Sequence, residues 1–257
     1  MSSAGKVLAE FTAALRYDDI PPAVVATAKS CIIDAVGVVL FGSTLPWSRI
    51  VDEYVNAIGK GTSTVIGPDL RRVSAPAAAF ANGAFAHAFE YDNLRQPSIG
   101  VHPGATVLVG ALAAAEAACV SGKDLITALV AGCGCMFRIA LAAKSSSEKI
   151  GFHAPGLTGV FGSAVAVSKI MGLTAEQTLM AMGIGGSFCS GLLAFAKSGH
   201  GGMVKRLHMG RAAEGGVTAA NLAARGFEGP DVILEGKFGF LDVYARDGDP
   251  TLFVAGL

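Results

Sequence analysis

The chain has 257 residues, which suits one large domain or two small ones. Hydrophobic residues make up 52% and charged residues only 16%, whereas an ordinary soluble domain has about 25% charged residues, so a second copy, another domain or a membrane is expected to cover part of the surface. The formal net charge is zero, and a chain without excess positive charge lacks the long-range attraction to nucleic acid, so no such partner is expected.

Neither a membrane span nor a secretion signal is expected. The best uninterrupted apolar run, 125–137, is shorter than the about 20 residues that a spanning helix needs. Charged residues interrupt the first helix-like stretch, so no signal peptide is visible. An odd number of cysteines without a secretion signal predicts reduced thiols in a cytoplasmic protein. The five cysteines lie in apolar stretches: Cys31, Cys119, Cys133, Cys135 and Cys189.

Hydrophobic spacing predicts helices along nearly the whole chain. In chain order they cover 7–15, 22–42, 47–58, 74–90, a stretch after Pro103, 124–144, 155–171, a stretch after Thr174, and 205–224. Ser2 or Ser3 is predicted to cap the first helix, and Thr174 with Gln177 forms a capping-box pattern. A short β-like piece is expected at 64–66, with loops at 93–101, 145–151 and 197–202. About ten helices and no series of strands predict an all-α fold.

The clearest polar segment, 90–103, joins two strongly apolar helices. It carries Glu90, Asp92, Arg95 and His102, and a loop held by rigid buried elements is where binding sites usually form. The alternative, an ordinary solvated connection, stays open on the residues alone.

A second polar segment, 151–156, places His153 just before a predicted helix. A helix N-terminus can help to bind an anion such as a carboxylate. The residues alone slightly favour the plainer interpretation, in which His153 only caps the helix.

A third polar segment, 197–208, is glycine-rich and leads into a helix that begins with Lys205 and Arg206. Cations at a helix N-terminus oppose the helix dipole, which suggests that they face an anionic ligand. His208 lies three residues after Lys205, so the two can share one helix face. A solvated basic turn is the alternative.

Metal, nucleotide and serine-hydrolase sites find little support. Cys133 and Cys135 are two residues apart and would point to nearly opposite sides of a helix. His87 and Glu90 can share a helix face, but no further ligand pattern completes a zinc site. Phosphate-binding loops and nucleophile-elbow motifs are absent from the sequence. No metal and no cofactor is therefore expected.

Five segments resemble, in order, the motifs of the MmgE/PrpD family, which includes 2-methylcitrate dehydratase. They are 80–92 (FANGAFAHAFEYD), 102–104 (HPG), 151–153 (GFH), 205–210 (KRLHMG) and 234–240 (LEGKFGF). The resemblance covers nearly the whole chain.

The resemblance implies a large helical domain that dimerises and a smaller α+β lid domain. It implies enzymes that act on small di- and tricarboxylic acids without a metal, by dehydration, decarboxylation or epimerisation. The domain is expected to fill 1–257, ending about where the family's lid would begin, so a separate lid-domain chain is a possible partner. A homodimer is expected, as is a lyase or isomerase activity that this chain alone does not guarantee; a non-catalytic truncated scaffold is the alternative.

The resemblance also assigns roles to individual residues. The candidate catalytic residues are Glu90, Asp92, His102, His153 and Lys205, and the candidate substrate-binding residues are Arg95, Gln96, Arg138, Arg206 and His208. We hypothesise that cations hold the acid groups while His102 or Lys205 moves a proton next to a carboxylate. Dehydratase-type members carry an Asp-x-Asp-Asp-Thr pattern where this chain has residues 90–94 (EYDNL), so an epimerase-like branch is favoured over 2-methylcitrate dehydratase.

Overall fold

The computed structural model describes residues 3–97, 100–144, 146–245 and 247–257, and these residues form a bundle of α-helices with one small hairpin. The helices are α1 (Ala4–Ala14), α2 (Pro22–Gly42), α3 (Pro46–Ile58), α4 (Ala75–Ala86), α5 (Val109–Ala118), α6 (Gly122–Ala143), α7 (Ser146–Lys149), α8 (Ala154–Ile170), α9 (Ala175–Gly186), α10 (Val204–Ala223) and α11 (Phe240–Tyr244). Strands β1 (Ser63–Thr64) and β2 (Arg72–Val73) pair antiparallel. The prediction of an all-α fold is confirmed.

Several helices begin where the sequence places a capping residue. Ser3 accepts a hydrogen bond from the Lys6 N–H, whereas Ser2 lies outside the described residues. Thr174 and Gln177 form the predicted reciprocal capping box at the start of α9. Each cap satisfies N–H groups that the first helical turn leaves without partners, which is why these boundaries follow from local sequence.

Helix α8 lies at the centre of the bundle and is buried along almost its whole length. It packs against α10 and α6, and α10 also packs against α4. Small residues let these helices approach closely. A side chain at Gly83 of α4 would collide with the backbone of Gly210 in α10, and one at Gly210 would collide with the Phe80 carbonyl. The glycines therefore bring the end of α4 next to the beginning of α10, where the sequence motifs lie.

The structure corrects three predicted boundaries. The helix predicted to reach Glu90 ends at Ala86, with His87 as its C-cap, and Glu90 beyond it adopts a positive φ of 62° that is foreign to a helix. The segment predicted as a loop at 145–151 contains the short helix α7, with Ser145 outside the described residues. The β-like piece at 64–66 begins one residue earlier, as β1 of the hairpin.

Helices α2 and α6 are both long and apolar enough to cross a membrane by length and composition. The most apolar part of α6 is 67% buried in the fold, as in the core helix of a globular domain, whereas that of α2 is 22% buried. The longest uninterrupted apolar run is therefore shorter than the apolar length of either helix. The expectation that the protein has no membrane partner stays a prediction.

Candidate active site

Asp92 joins two histidines at the end of α4. Its carboxylate oxygens lie 2.8 Å from Nδ1 of His87 and 2.9 Å from Nδ1 of His102. The Asp92 side chain is 1% exposed, so the segment at 90–103 is not an ordinary solvated connection. Asn93 holds the segment in place, because it donates to Asp34 of α2 and accepts the Gly104 N–H. Ser98 and Ile99 of the same segment lie outside the described residues.

The charge of Asp92 determines how both imidazoles are oriented. Burial by itself would raise the pKa of Asp92, but hydrogen bonds from His102 and His87 outweigh it and lower the pKa to about 2. Asp92 is therefore ionised at neutral pH and can only accept hydrogen bonds. Each histidine must donate its Nδ1–H, which leaves both Nε2 atoms available for other partners.

A second histidine pair lies beside the first. Nδ1 of His153, at the start of α8, is 3.0 Å from Nδ1 of His208 in α10, so one ring donates and the other accepts. Burial, followed by the nearby His208, lowers the pKa of His153 to about 3, and burial also lowers the pKa of His208. Both rings are therefore neutral at pH 7.

The interpretation in which His153 only caps α8 is wrong, because its side chain makes no capping hydrogen bond. The carboxylate of Glu148 in α7 lies near this N-terminus and the Ala154 N–H, and burial raises its pKa. With a carboxylate of the protein already beside it, the helix N-terminus is a poor place for a ligand carboxylate. His153 is free to act through its pairing with His208.

Lys205 completes the cluster from the first turn of α10. Its Nζ lies 2.6 Å from a carboxylate oxygen of Glu90, and this hydrogen bond is the largest cause that lowers the pKa of Glu90. Nζ also lies 6.0 Å from the centre of the Phe195 ring, which in turn contacts His153 and His208. Lys205 and His208 therefore share one face of α10, as their spacing predicted.

The remaining predicted substrate ligands are placed differently. Arg206 donates to the backbone carbonyls of Ala88 and Gly202 and lies over Trp47, so it ties α10 to the end of α4. Arg138 donates to two backbone carbonyls, one of them that of Gly256. These contacts fix both guanidinium groups against the protein backbone, and their role in binding substrate stays a prediction.

Arg95 and Gln96 lie further along the same segment as Asp92. The Arg95 guanidinium stacks 4.8 Å from the centre of the Phe137 ring, and Gln96 is exposed. The role of both residues in binding substrate stays a prediction.

Sequence reasoning missed three members of the cluster. His87 was considered only as a zinc ligand with Glu90, but the chain leaves the helix at His87, which turns its ring to Asp92 instead. Phe195 and Glu148 carry no local signal, because their neighbours in the site come from distant parts of the chain. A histidine five residues before a buried aspartate was the only local hint.

The donor set at Asp92 has the composition of a metal site. The ligand atoms of His87, Asp92 and His102 lie within 4.8 Å of one another, a composition suited to a divalent ion. However, both Nδ1 atoms already lie at hydrogen-bond distance from separate carboxylate oxygens. A hydrogen-bonded triad accounts for this geometry, and the expectation of no metal stays a prediction.

The comparisons with known proteins agree with the motifs. Residues 6–252 match the MmgE/PrpD N-terminal domain. Human cis-aconitate decarboxylase is 32% identical over 239 residues, which cover 90% of this chain and 48% of that protein. The cis-aconitate decarboxylase of Aspergillus terreus is 32% identical over 243 residues, covering 90% and 48%. The cis-aconitate decarboxylase-like protein oryM of Aspergillus oryzae is 32% identical over 263 residues, covering 96% and 53%.

This chain thus spans about half the length of the curated relatives that it matches. The match extends over the segments that carry Asp92, His102, His153 and Lys205. The chain therefore belongs to the MmgE/PrpD family.

Proposed function

We propose that this chain provides the helical part of a lyase that decarboxylates a small tricarboxylic acid of the cis-aconitate type. One observation carries the proposal: a carboxylate-held histidine, His102, lies in one cluster with a cation, Lys205, and a neutral histidine pair. Such a cluster offers both a group to hold acid groups and a group to move a proton. The similarity to three proteins named for cis-aconitate decarboxylation supports the choice of substrate class.

The chemistry requires one bond to break and one to form. The C–C bond to a carboxylate breaks, CO₂ leaves, and the electron pair remains on carbon, where a neighbouring unsaturated acid group stabilises it. A proton then forms the new C–H bond, so one proton is consumed for each CO₂ released. In this proposal Nε2 of His102 or Nζ of Lys205 delivers that proton, while His153 and Lys205 hold the remaining carboxylates.

An epimerase is the second candidate function. It needs the same proton step without loss of CO₂, because a C–H bond next to a carboxylate is broken and remade from the other side. Residues 90–94 (EYDNL) favour it, since they depart from the pattern of dehydratase-type members. In this reaction His102 and Lys205 would act as base and acid in turn.

Proton NMR in heavy water tests both candidates at once. The protein is incubated with cis-aconitate and with a panel of small dicarboxylates, and loss of CO₂ and exchange of α-C–H signals are followed. Decarboxylation that is lost in His102→Gln but kept in the exposed His200→Gln supports the lyase. Exchange without CO₂ release supports the epimerase.

A folded protein that does neither would contradict both functions for this chain alone and favour a non-catalytic scaffold. Repeating the assay with a lid domain supplied in trans then tests the predicted separate lid-domain chain. The predicted homodimer is tested by light scattering coupled to gel filtration, and the predicted cytoplasmic location by fractionation of the source cells.

A further inference from the structure

His87 is the most deeply buried of the four clustered histidines, and the proton scheme above does not use it. It is 2% exposed, against 6% for His153 and 8% for His208. Its Nε2 has no hydrogen-bond partner among the described residues. Leaving a buried polar atom unpaired costs about 1–3 kcal/mol, so such an atom in a native site requires an explanation.

The direction of this atom follows from the ring itself. Nδ1 of His87 is engaged by Asp92 at 2.8 Å, so Nε2 points to the other side of the imidazole, away from that carboxylate. The ring centre lies 5.0 Å from that of His102 and 6.4 Å from that of His153. His87 therefore lies close to both histidines that the sequence motifs single out.

We propose that His87 binds the substrate, with Nε2–H donating a hydrogen bond to one of its carboxylates. The inference rests on the proposed function and adds a ligand-binding residue to it. It explains why a buried ring has one nitrogen satisfied by the protein and the other unsatisfied: the missing partner is the ligand.

The charges around the ring fit this role. An ionised ligand carboxylate only accepts hydrogen bonds, so Nε2 must carry a proton in the complex. Because Nδ1–H is already given to Asp92, the bound ring is an imidazolium, and the buried Asp92 carboxylate balances its charge.

The other ionisable groups of the cluster already have partners within the protein. Lys205 is already paired with Glu90, and the neutral pair His153–His208 contributes no charge. The Glu148 carboxylate lies near the first N–H of α8. His87 thus adds a donor for a second carboxylate beside the one that Lys205 holds.

Two substitutions separate ligand binding from structure. His87→Asn keeps an N–H near the Nδ1 position, so it can still donate to Asp92, but it has no atom at the Nε2 position. His87→Gln places an N–H near the Nε2 position but loses the bond to Asp92. The probe is tricarballylate, a saturated tricarboxylate without the double bond of cis-aconitate, and binding is measured by calorimetry beside the melting temperature of each ligand-free variant.

The proposal predicts that the two variants rank in opposite orders by affinity for tricarballylate and by melting temperature. His87→Asn should bind tricarballylate about ten- to a hundredfold more weakly than the wild type, the value of one charge-assisted hydrogen bond. His87→Gln should bind more tightly than His87→Asn although it melts at a lower temperature. The exposed His200→Asn should match the wild type in both.

A purely structural His87 would give the same order of variants in both assays, and that result would overturn the proposal. Equal affinity of the wild type and His87→Asn would also overturn it while leaving the proposed function intact. If the folded wild-type protein does not bind tricarballylate, the proposed function fails for this chain, and the role of His87 fails with it.

Discussion

Asp92→Asn removes the charge that orients two histidines and leaves the shape of the side chain almost unchanged. The pKa of Asp92 is lowered from 3.8 to about 2 in the folded protein. At about 1.36 kcal/mol for each pKa unit, the ionised carboxylate stabilises the fold by about 2 kcal/mol at pH 7. In a domain of this size that corresponds to a decrease of roughly 4–8 °C in melting temperature.

The pH dependence has a defined sign. A carboxylate whose folded pKa is depressed stabilises the fold above its unfolded pKa and loses this effect as the pH falls through the folded value. The difference between the wild type and Asp92→Asn should therefore be complete at pH 7 and fall to roughly half at pH 3. Thermal unfolding followed by circular dichroism at both pH values measures it.

The exposed Asp69→Asn is the matched control. Asp69 pairs with Arg71 at the surface, where an ion pair contributes little, so the control should change the melting temperature by no more than about 2 °C at either pH. An Asp92→Asn shift of the same size at pH 7 and pH 3 would contradict the charge argument. So would the absence of any shift.

The same substitution should also lower activity. The amide of Asn can accept from one histidine only, and its NH₂ group forces the other ring to carry its proton on Nε2. A loss of about 10²–10⁴ in turnover is expected, because general acid–base catalysis contributes that much. Nitrogen-15 NMR of the imidazoles reports the tautomer directly, and unchanged tautomers in the variant would refute the orientation argument.

Three further predictions test the cluster and the packing that builds it. Lys205→Met should weaken tricarballylate binding at least tenfold in calorimetry, whereas the exposed Lys237→Met should not; equal effects would remove Lys205 from the site. Gly210→Ala should lower stability by about 1–3 kcal/mol in denaturant unfolding, because its methyl group overlaps the backbone of α4. Gly37→Ala, in open space on α2, should be neutral or stabilising by up to about 1 kcal/mol. The melting temperature of His153→Gln should depend less on pH between 7 and 5 than that of the wild type. The pKa of His153 is lowered to about 3 in the folded protein, so in this range the unfolded chain takes up the proton and the wild-type fold loses stability. An unchanged pH dependence would contradict the buried neutral ring.

Local sequence determined most of the helical pattern of this protein. Apolar spacing identified the long helices, and the caps at Ser3 and Thr174 lie where their side chains can satisfy free N–H groups of the next turn. These interactions span three or four residues, so the sequence displays them directly. The family motifs likewise mark short segments, and the segments that they mark supply most of the cluster.

Partners across the cluster were decided by the tertiary structure. His153 pairs with His208, 55 residues away, and Arg206 donates to the Ala88 carbonyl at the end of α4, 118 residues away. His87 left its predicted helix face to join Asp92, because the chain bends out of α4 at that point. No local pattern records which helices cross, and here the crossing depends on Gly83 and Gly210 letting two backbones meet. The sequence alone determined which residue types could do chemistry, and the close packing of α4 and α10 decided which of them do it together.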